Sequence, residues 1–201
     1  MASIGFREQG ELDVQELRKA TEADHRDAED ALPLLRKGLS VALYVQCLVQ
    51  IYGVVAAWEE RAVQVAPSWL QSALIARQRK PLLELDLAFF NQTETNHQRP
   101  TLPAMNDLPS LLGAMYVMEG STLGGIFIAR HVEAVLHLSE GRGNSYFRGN
   151  GNRTGPMWNE FCEVLKQRIP NDQTDAVIIA AKAMFATFAS WMRRNPAMIE
   201  N

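Results

Sequence analysis

Apolar residues recur every three or four positions through most of the chain, and the strict alternation of a half-buried strand never lasts beyond a few residues. The pattern predicts an all-α, single-domain helical bundle. Its first helix is expected over about residues 13–31: Asp13 can cap it, Glu16 follows three residues later, Leu12 can staple onto Leu17, and Pro33 stops it. A second helix starts after Ser40 and carries Leu43, Val45, Leu48, Ile51, Tyr52, Val55 and Trp58 before Pro67, a hydrophobic load that marks it as central. Ser68 can cap the next segment, which Pro81 interrupts or kinks before residues 82–90 continue as a short helix.

A polar stretch, 91–106, comes next. Asp107 then opens a long helical pattern reaching about Leu138, although Gly113, Gly120, Gly124 and Gly125 all lie inside it. Glycines at 141, 143, 149, 151 and 155 describe a flexible loop over 139–155, followed by two helices over about 156–169 and 172–194 with Pro170 between them. The helical domain is expected to occupy 13–194, with tails at 1–12 and 195–201.

Composition narrows the function classes. With 201 residues, 47% of them apolar, the chain can bury one full-sized core. Twenty Lys plus Arg against 23 Asp plus Glu give a net charge of −3, which offers no excess of cations for nucleic acid. The two cysteines, Cys47 and Cys162, sit in apolar runs far from any second Cys or His at metal-site spacing, so a disulfide framework and a zinc knuckle are both excluded. No signal-like segment precedes residue 15, and no unbroken apolar run approaches a membrane span. A cytoplasmic protein acting away from membranes and nucleic acid is expected.

Two features carry chemistry. On a helical wheel Val14, Leu17, Thr21, Ala28 and Leu32 define the inward stripe of the first helix, and His25 falls in its middle. Glu29, one turn later, can approach the ring or orient it through the nitrogen not used for ligation, which suits a metal ligand; a core histidine satisfied by a neighbour is the other reading. The second feature is Glu119-Gly120-Ser121-Thr122-Leu123-Gly124-Gly125 inside an apolar helix. Three glycines there sacrifice on the order of 3 kcal/mol of helix propensity, so something must offset the loss. Gly120 and Gly124 are one turn apart with Ser121 beside them. A flat object could lie against that backbone, or the glycines could serve a kink or a tight helix crossing. Together, an inward His and a glycine-floored helix could sandwich a planar metal macrocycle such as heme. His131 falls on roughly the face of Gly120 and Gly124, about 16 Å along the helix, and His97 and His137 fall in or near polar loops, so all three are expected to be structural or exposed.

At these residues the chain resembles the heme oxygenases. Leu17-Arg18-Lys19-Ala20-Thr21, with His25 and Glu29 following, is similar to their proximal helix, and Tyr116 through Gly125 is similar to their distal helix in its bacterial form. Further similarity lies at Ile51-Tyr52 through Glu59-Glu60 and at Asp86 through Phe90. The resemblance implies that heme b, at once substrate and cofactor, is opened with O2 and seven electrons from an external donor (a ferredoxin, flavodoxin or reductase) to biliverdin, CO and ferrous iron. It implies His25 as the iron ligand with Glu29 behind it, and Gly120, Ser121, Gly124 and Gly125 as the distal wall, of which Gly120, Ser121 and Gly124 lie at the reacting centre. Arg18 is implied at the propionates, with Tyr116 and Lys166 as further candidates. The bacteriophytochrome-associated members are the nearest in kind, which implies opening at the α-meso carbon and a bacteriophytochrome as bilin acceptor.

One departure stands out. Animal members carry an aspartate after the first distal glycine, where this chain has Ser121, so Ser121 or the distal carbonyls are left to organise the proton-donating water. A heme carrier or sensor using the same pocket is the alternative function. A neutral histidine, in place of a thiolate, pushes less electron density toward O–O cleavage and so favours attack on the ring itself.

Overall fold

The computed structural model describes residues 12–92 and 98–194, which contain ten α-helices and three short 3-10 turns and, among the described residues, no strand. Helix α1 (Val14–Ala20) starts at the expected cap: Asp13 accepts the Gln15 N–H at 2.8 Å, and Leu12 and Leu17 are both buried beneath it. The helix does not run unbroken to residue 31. Thr21 donates its hydroxyl back to the Leu17 carbonyl at 2.9 Å and adopts φ −105°, ψ 5°, and α2 (Glu22–Asp30) resumes beyond it. That bend ends the inward stripe, for α2 buries only Ala28.

Helix α3 (Val41–Val65) runs through the centre, with Ser40 accepting the Leu43 N–H at 3.2 Å and Tyr44, Leu48, Ile51, Val55 and Trp58 all buried. Two long-range bonds fix it: the Tyr44 hydroxyl donates to the Gly143 carbonyl and the Trp191 indole N–H donates to the Gln50 carbonyl, both at 2.9 Å. Helix α4 (Ser68–Ala76) is capped at Pro67, so Ser68 is its first residue and not its cap. Pro81 likewise sits in the first turn of α5 (Lys80–Phe89), where its missing N–H is harmless, and starts that helix without kinking one.

The long pattern from Asp107 divides into α6 (Leu108–Gly120) and α7 (Gly125–Leu136), separated by turns at residues 121–124. Asp107 and Ser110 form a reciprocal capping box at the start of α6. The glycine-rich segment 139–155, expected to be flexible, instead holds α8 (Ser145–Arg148). The Asp86 carboxylate of α5 accepts the Ser145 and Tyr146 N–H groups at 2.7 and 2.8 Å, and Tyr146 and Phe147 are buried. Helices α9 (Thr154–Arg168) and α10 (Thr174–Met192) complete the bundle. Helix α10 lies tightly along α6 because Gly113 lets the backbones meet: a Cβ there would stand 2.5 Å from the Val177 carbonyl oxygen.

Three stretches, Val41–Val65, Leu108–Leu136 and Asn171–Met192, are long and apolar enough to cross a membrane by length and composition alone. Here their apolar faces supply the core of the bundle.

Candidate active site

His25 is not an interior residue. Its side chain is 52% exposed because the stripe that points inward in α1 does not continue past the Thr21 bend. The core-histidine reading therefore falls away. One face of the ring is steadied by Phe185 of α10, edge-on with centroids 5.6 Å apart. Nδ1 lies 3.4 Å from the Glu29 carboxylate one turn on, so Nε2 is the nitrogen left for a ligand. Glu29 is itself exposed, a surface partner that orients the ring without burying it.

The same bend ties this helix to the glycine helix. The Tyr116 phenol of α6 meets the Thr21 hydroxyl; burial pushes the phenol's pKa up, against the pull of Thr21 and of the Arg18 guanidinium. His25 is one turn beyond Thr21, and Gly120 is one turn beyond Tyr116, so each lies about 6 Å along its helix from a common contact. Cys162 of α9 lies close enough to act on Tyr116 and is itself influenced by Lys166. Arg18 therefore acts on the Tyr116 phenol directly, whereas Lys166 is engaged with Glu163 at 2.8 Å and is linked to Tyr116 only by way of Cys162.

The glycines fall into two kinds. Gly125 is buried, and a Cβ added there would stand 2.6 Å from the Phe147 carbonyl oxygen, so it serves the packing of α7 on α8 and does not floor an open surface. Gly124 is exposed, has φ −82°, and a Cβ there meets nothing within 4 Å. Neither backbone strain nor packing calls for glycine at 124. Gly120 has room too, with only the edge of Trp158 at 3.6 Å. Leu123 and Phe127 are exposed beside Gly124, which makes this surface apolar. A planar apolar ligand resting on the backbone fits that cradle. Among the described residues no group of three His, Cys, Asp or Glu could hold a metal ion.

Ser121 does not aim its proton outward. Its hydroxyl donates to the Met118 carbonyl at 2.7 Å and accepts from the Arg79 guanidinium at 3.2 Å. Arg79, 6% exposed, also donates to the Met118 carbonyl at 2.8 Å and stacks 4.8 Å above the Tyr146 ring. Its backbone N–H and that of Lys80 donate to Glu59, whose carboxyl burial pushes up against those two bonds. Next to Met118, buried Glu119 pairs with partly buried Arg77 at 2.6 Å, and burial raises the Glu119 carboxyl against the pull of Arg77 and Arg79. Sequence reasoning passed over both arginines. The available signal was Glu119 itself, a carboxylate in an apolar helix that needs a cation, and the polar run Arg77-Gln78-Arg79-Lys80 is the supply. His131 presents a buried Nε2 with no hydrogen bond, His137 ends α7 at φ 53°, and His97 lies outside the described residues.

The family model described as Heme oxygenase matches residues 13–194. The chain is 32% identical over 150 residues to a protein named heme oxygenase from Xanthomonas campestris pv. campestris (strain 8004), covering 72% of this chain and 86% of that one. Its fold is similar to the NO- and CO-bound heme oxygenase of Neisseria meningitidis, with a TM-score of 0.72 at 18% identity over 93% of this chain and 92% of that chain. It is equally similar to heme oxygenase-1 of the cyanobacterium Synechocystis sp. PCC6803 in complex with heme, with a TM-score of 0.71 at 16% identity over 92% and 93% of the two chains.

Proposed function

The chain belongs to the heme oxygenase family, enzymes that degrade heme, and on that premise we propose that it opens the ring to give biliverdin, CO and ferrous iron. The observation that carries this reading is the half-exposed His25 imidazole, with Nδ1 committed to Glu29 and Nε2 free. An axial ligand uses that arrangement, one ring nitrogen turned to a carboxylate and the other left for the metal. Bound heme supplies the iron that activates O2 and the porphyrin that is cleaved.

The protein's own residues do the rest. His25 Nε2 holds the iron, Glu29 fixes the tautomer, and Phe185 limits rotation of the imidazole. Gly124 and Gly120 let the ring lie on the backbone, while Leu123 and Phe127 exclude water from its face. Arg18 and Lys166, with the Tyr116 hydroxyl, would neutralise and orient the propionates, and the resemblance to bacterial members of the family favours opening at the α carbon. Electrons come from a ferredoxin, flavodoxin or reductase, and the bilin passes to an acceptor such as a bacteriophytochrome. The reaction takes place in the cytoplasm.

Hemin titration followed by ascorbate and O2 tests the reading. A one-to-one complex whose Soret band disappears as a single bilin and CO accumulate is the expected result. A complex that keeps its spectrum through repeated reduction and reoxygenation marks a carrier and rejects turnover; no complex at all rejects the site.

A further inference from the structure

The break between α6 and α7 leaves a backbone carbonyl without its helical partner. Residue 122 donates to Glu119 at 3.0 Å, residue 123 to Gly120 at 3.1 Å and residue 125 to Thr122 at 3.2 Å, all tightened bonds to the third residue back. The Met118 carbonyl is therefore free to accept from the Ser121 hydroxyl and from Arg79. A buried guanidinium is expensive unless its surroundings require it. Here its Nη2 reaches two atoms of the break at once, its plane rests on Tyr146, and its backbone is pinned to Glu59 of α3.

We propose that Arg79 is a positioning residue for the distal floor: by holding the Met118 carbonyl and the Ser121 hydroxyl together it fixes the angle at which Gly120 and Gly124 present their backbone. It does so through the α4–α5 connection. Arg77 takes the neighbouring residue, Glu119, and also Glu160 of α9 at 3.1 Å, so the connection braces two consecutive residues at the end of α6. The consequence for chemistry lies in Ser121. With its proton given to the Met118 carbonyl, one lone pair filled by Arg79 and the Tyr146 hydroxyl bonded beside it, this hydroxyl has no proton to give a ligand. Arg79 thus decides both the shape of the floor and the hydrogen-bonding sense of the Ser121 hydroxyl.

This inference rests on the heme-degrading function, and its first test does not. Hydrogen exchange on the heme-free protein is compared for the wild type, Arg79→Met and Arg79→Lys. Amides 122–125 are expected to exchange about tenfold faster in Arg79→Met, while those of α3 and α10 stay at their wild-type rates. Arg79→Lys keeps one donor for the Met118 carbonyl but cannot span to Ser121, so it should fall between, which also decides the matter if Arg79→Met does not fold. Unchanged exchange at 122–125 in the folded variants, or an increase spread evenly over all helices, overturns the positioning role. The second arm adds hemin, reductant and O2: a single bilin isomer in the wild type is expected to become a mixture in Arg79→Met and to be largely restored in Arg79→Lys. A single isomer throughout rejects the inference, whereas failure of the wild type to cleave hemin rejects the functional reading and leaves the exchange result standing.

Discussion

The α1–α2 segment that carries His25 is held by bonds between near neighbours, with Asp13 capping Gln15, Thr21 bonding back to Leu17 and Glu29 beside the His25 ring four residues away, and by a solvent-exposed tie to α10, Arg193 to Asp27. The break bearing Gly120 and Gly124 is held from a distance: Arg79 reaches it from 39 residues back, and Asp86 secures α8, against which Gly125 packs, from 59. The near wall therefore owes its chemistry to exposed single residues, and the far wall to a buried frame. Substitutions in the near wall should remove function and leave stability intact. Substitutions in the far wall should divide sharply according to whether they face the cleft or the frame.

The largest effect belongs to His25→Ala. Removing a half-exposed imidazole with one edge contact takes little from the fold, but removes the nitrogen proposed to hold the iron. Turnover should drop by about a hundredfold or more, with a changed Soret band and a melting temperature close to that of the wild type. Unchanged spectra and turnover would show that the ligand lies elsewhere.

Two neighbouring glycines give the next test. Gly124→Leu adds a side chain where the protein leaves open space, so stability should remain within about 0.5 kcal/mol of the wild type while hemin binding is blocked. Gly125→Ala drives a Cβ to 2.6 Å from the Phe147 carbonyl oxygen and should cost about 2 kcal/mol, with hemin still bound by whatever remains folded. If both variants lost stability equally, the division of the glycine run into cradle and frame would be wrong. Denaturant unfolding with a hemin titration on each variant separates the cases.

The same contrast explains what the sequence could disclose. Helix positions were legible because 3.6-residue periodicity and caps such as Asp13, Ser40 and Asp107 are local signals. His25 was legible as a ligand candidate but not as an exposed one, since a helical wheel assumes a straight helix and the Thr21 hydroxyl bends this one. Helix α8 was hidden in a glycine-rich segment because the carboxylate that caps it comes from α5. Arg79 was passed over for the same reason: its partner is a backbone carbonyl of another helix, freed by a break that the glycine run could suggest only as a kink.

Acidification gives the smallest effect, and it again sets the two walls apart. In the far wall Glu133 of α7 accepts from Arg148 at 2.6 and 3.0 Å and from Asn144 at 2.8 Å, and those bonds, Arg148's above all, hold its carboxyl below its ordinary value of 4.5. In the near wall Asp27 of α2 is lowered by Arg193, but that pair is exposed to solvent and screened by salt. A depressed carboxyl stabilises the fold above its unfolded pKa, and that contribution is lost as pH falls through the lower, folded value. Thermal melts taken below pH 4.5 should therefore fall more steeply for the wild type than for Glu133→Gln, which has no such contribution to lose. Asp27→Asn should remove less of that slope, and what it removes should vanish in high salt. Buried Glu119 titrates in the opposite sense, its carboxyl raised by burial, but it is common to all three proteins and cancels in the comparison. Equal slopes for the wild type and Glu133→Gln would mean that the frame behind α7 does not depend on this carboxylate.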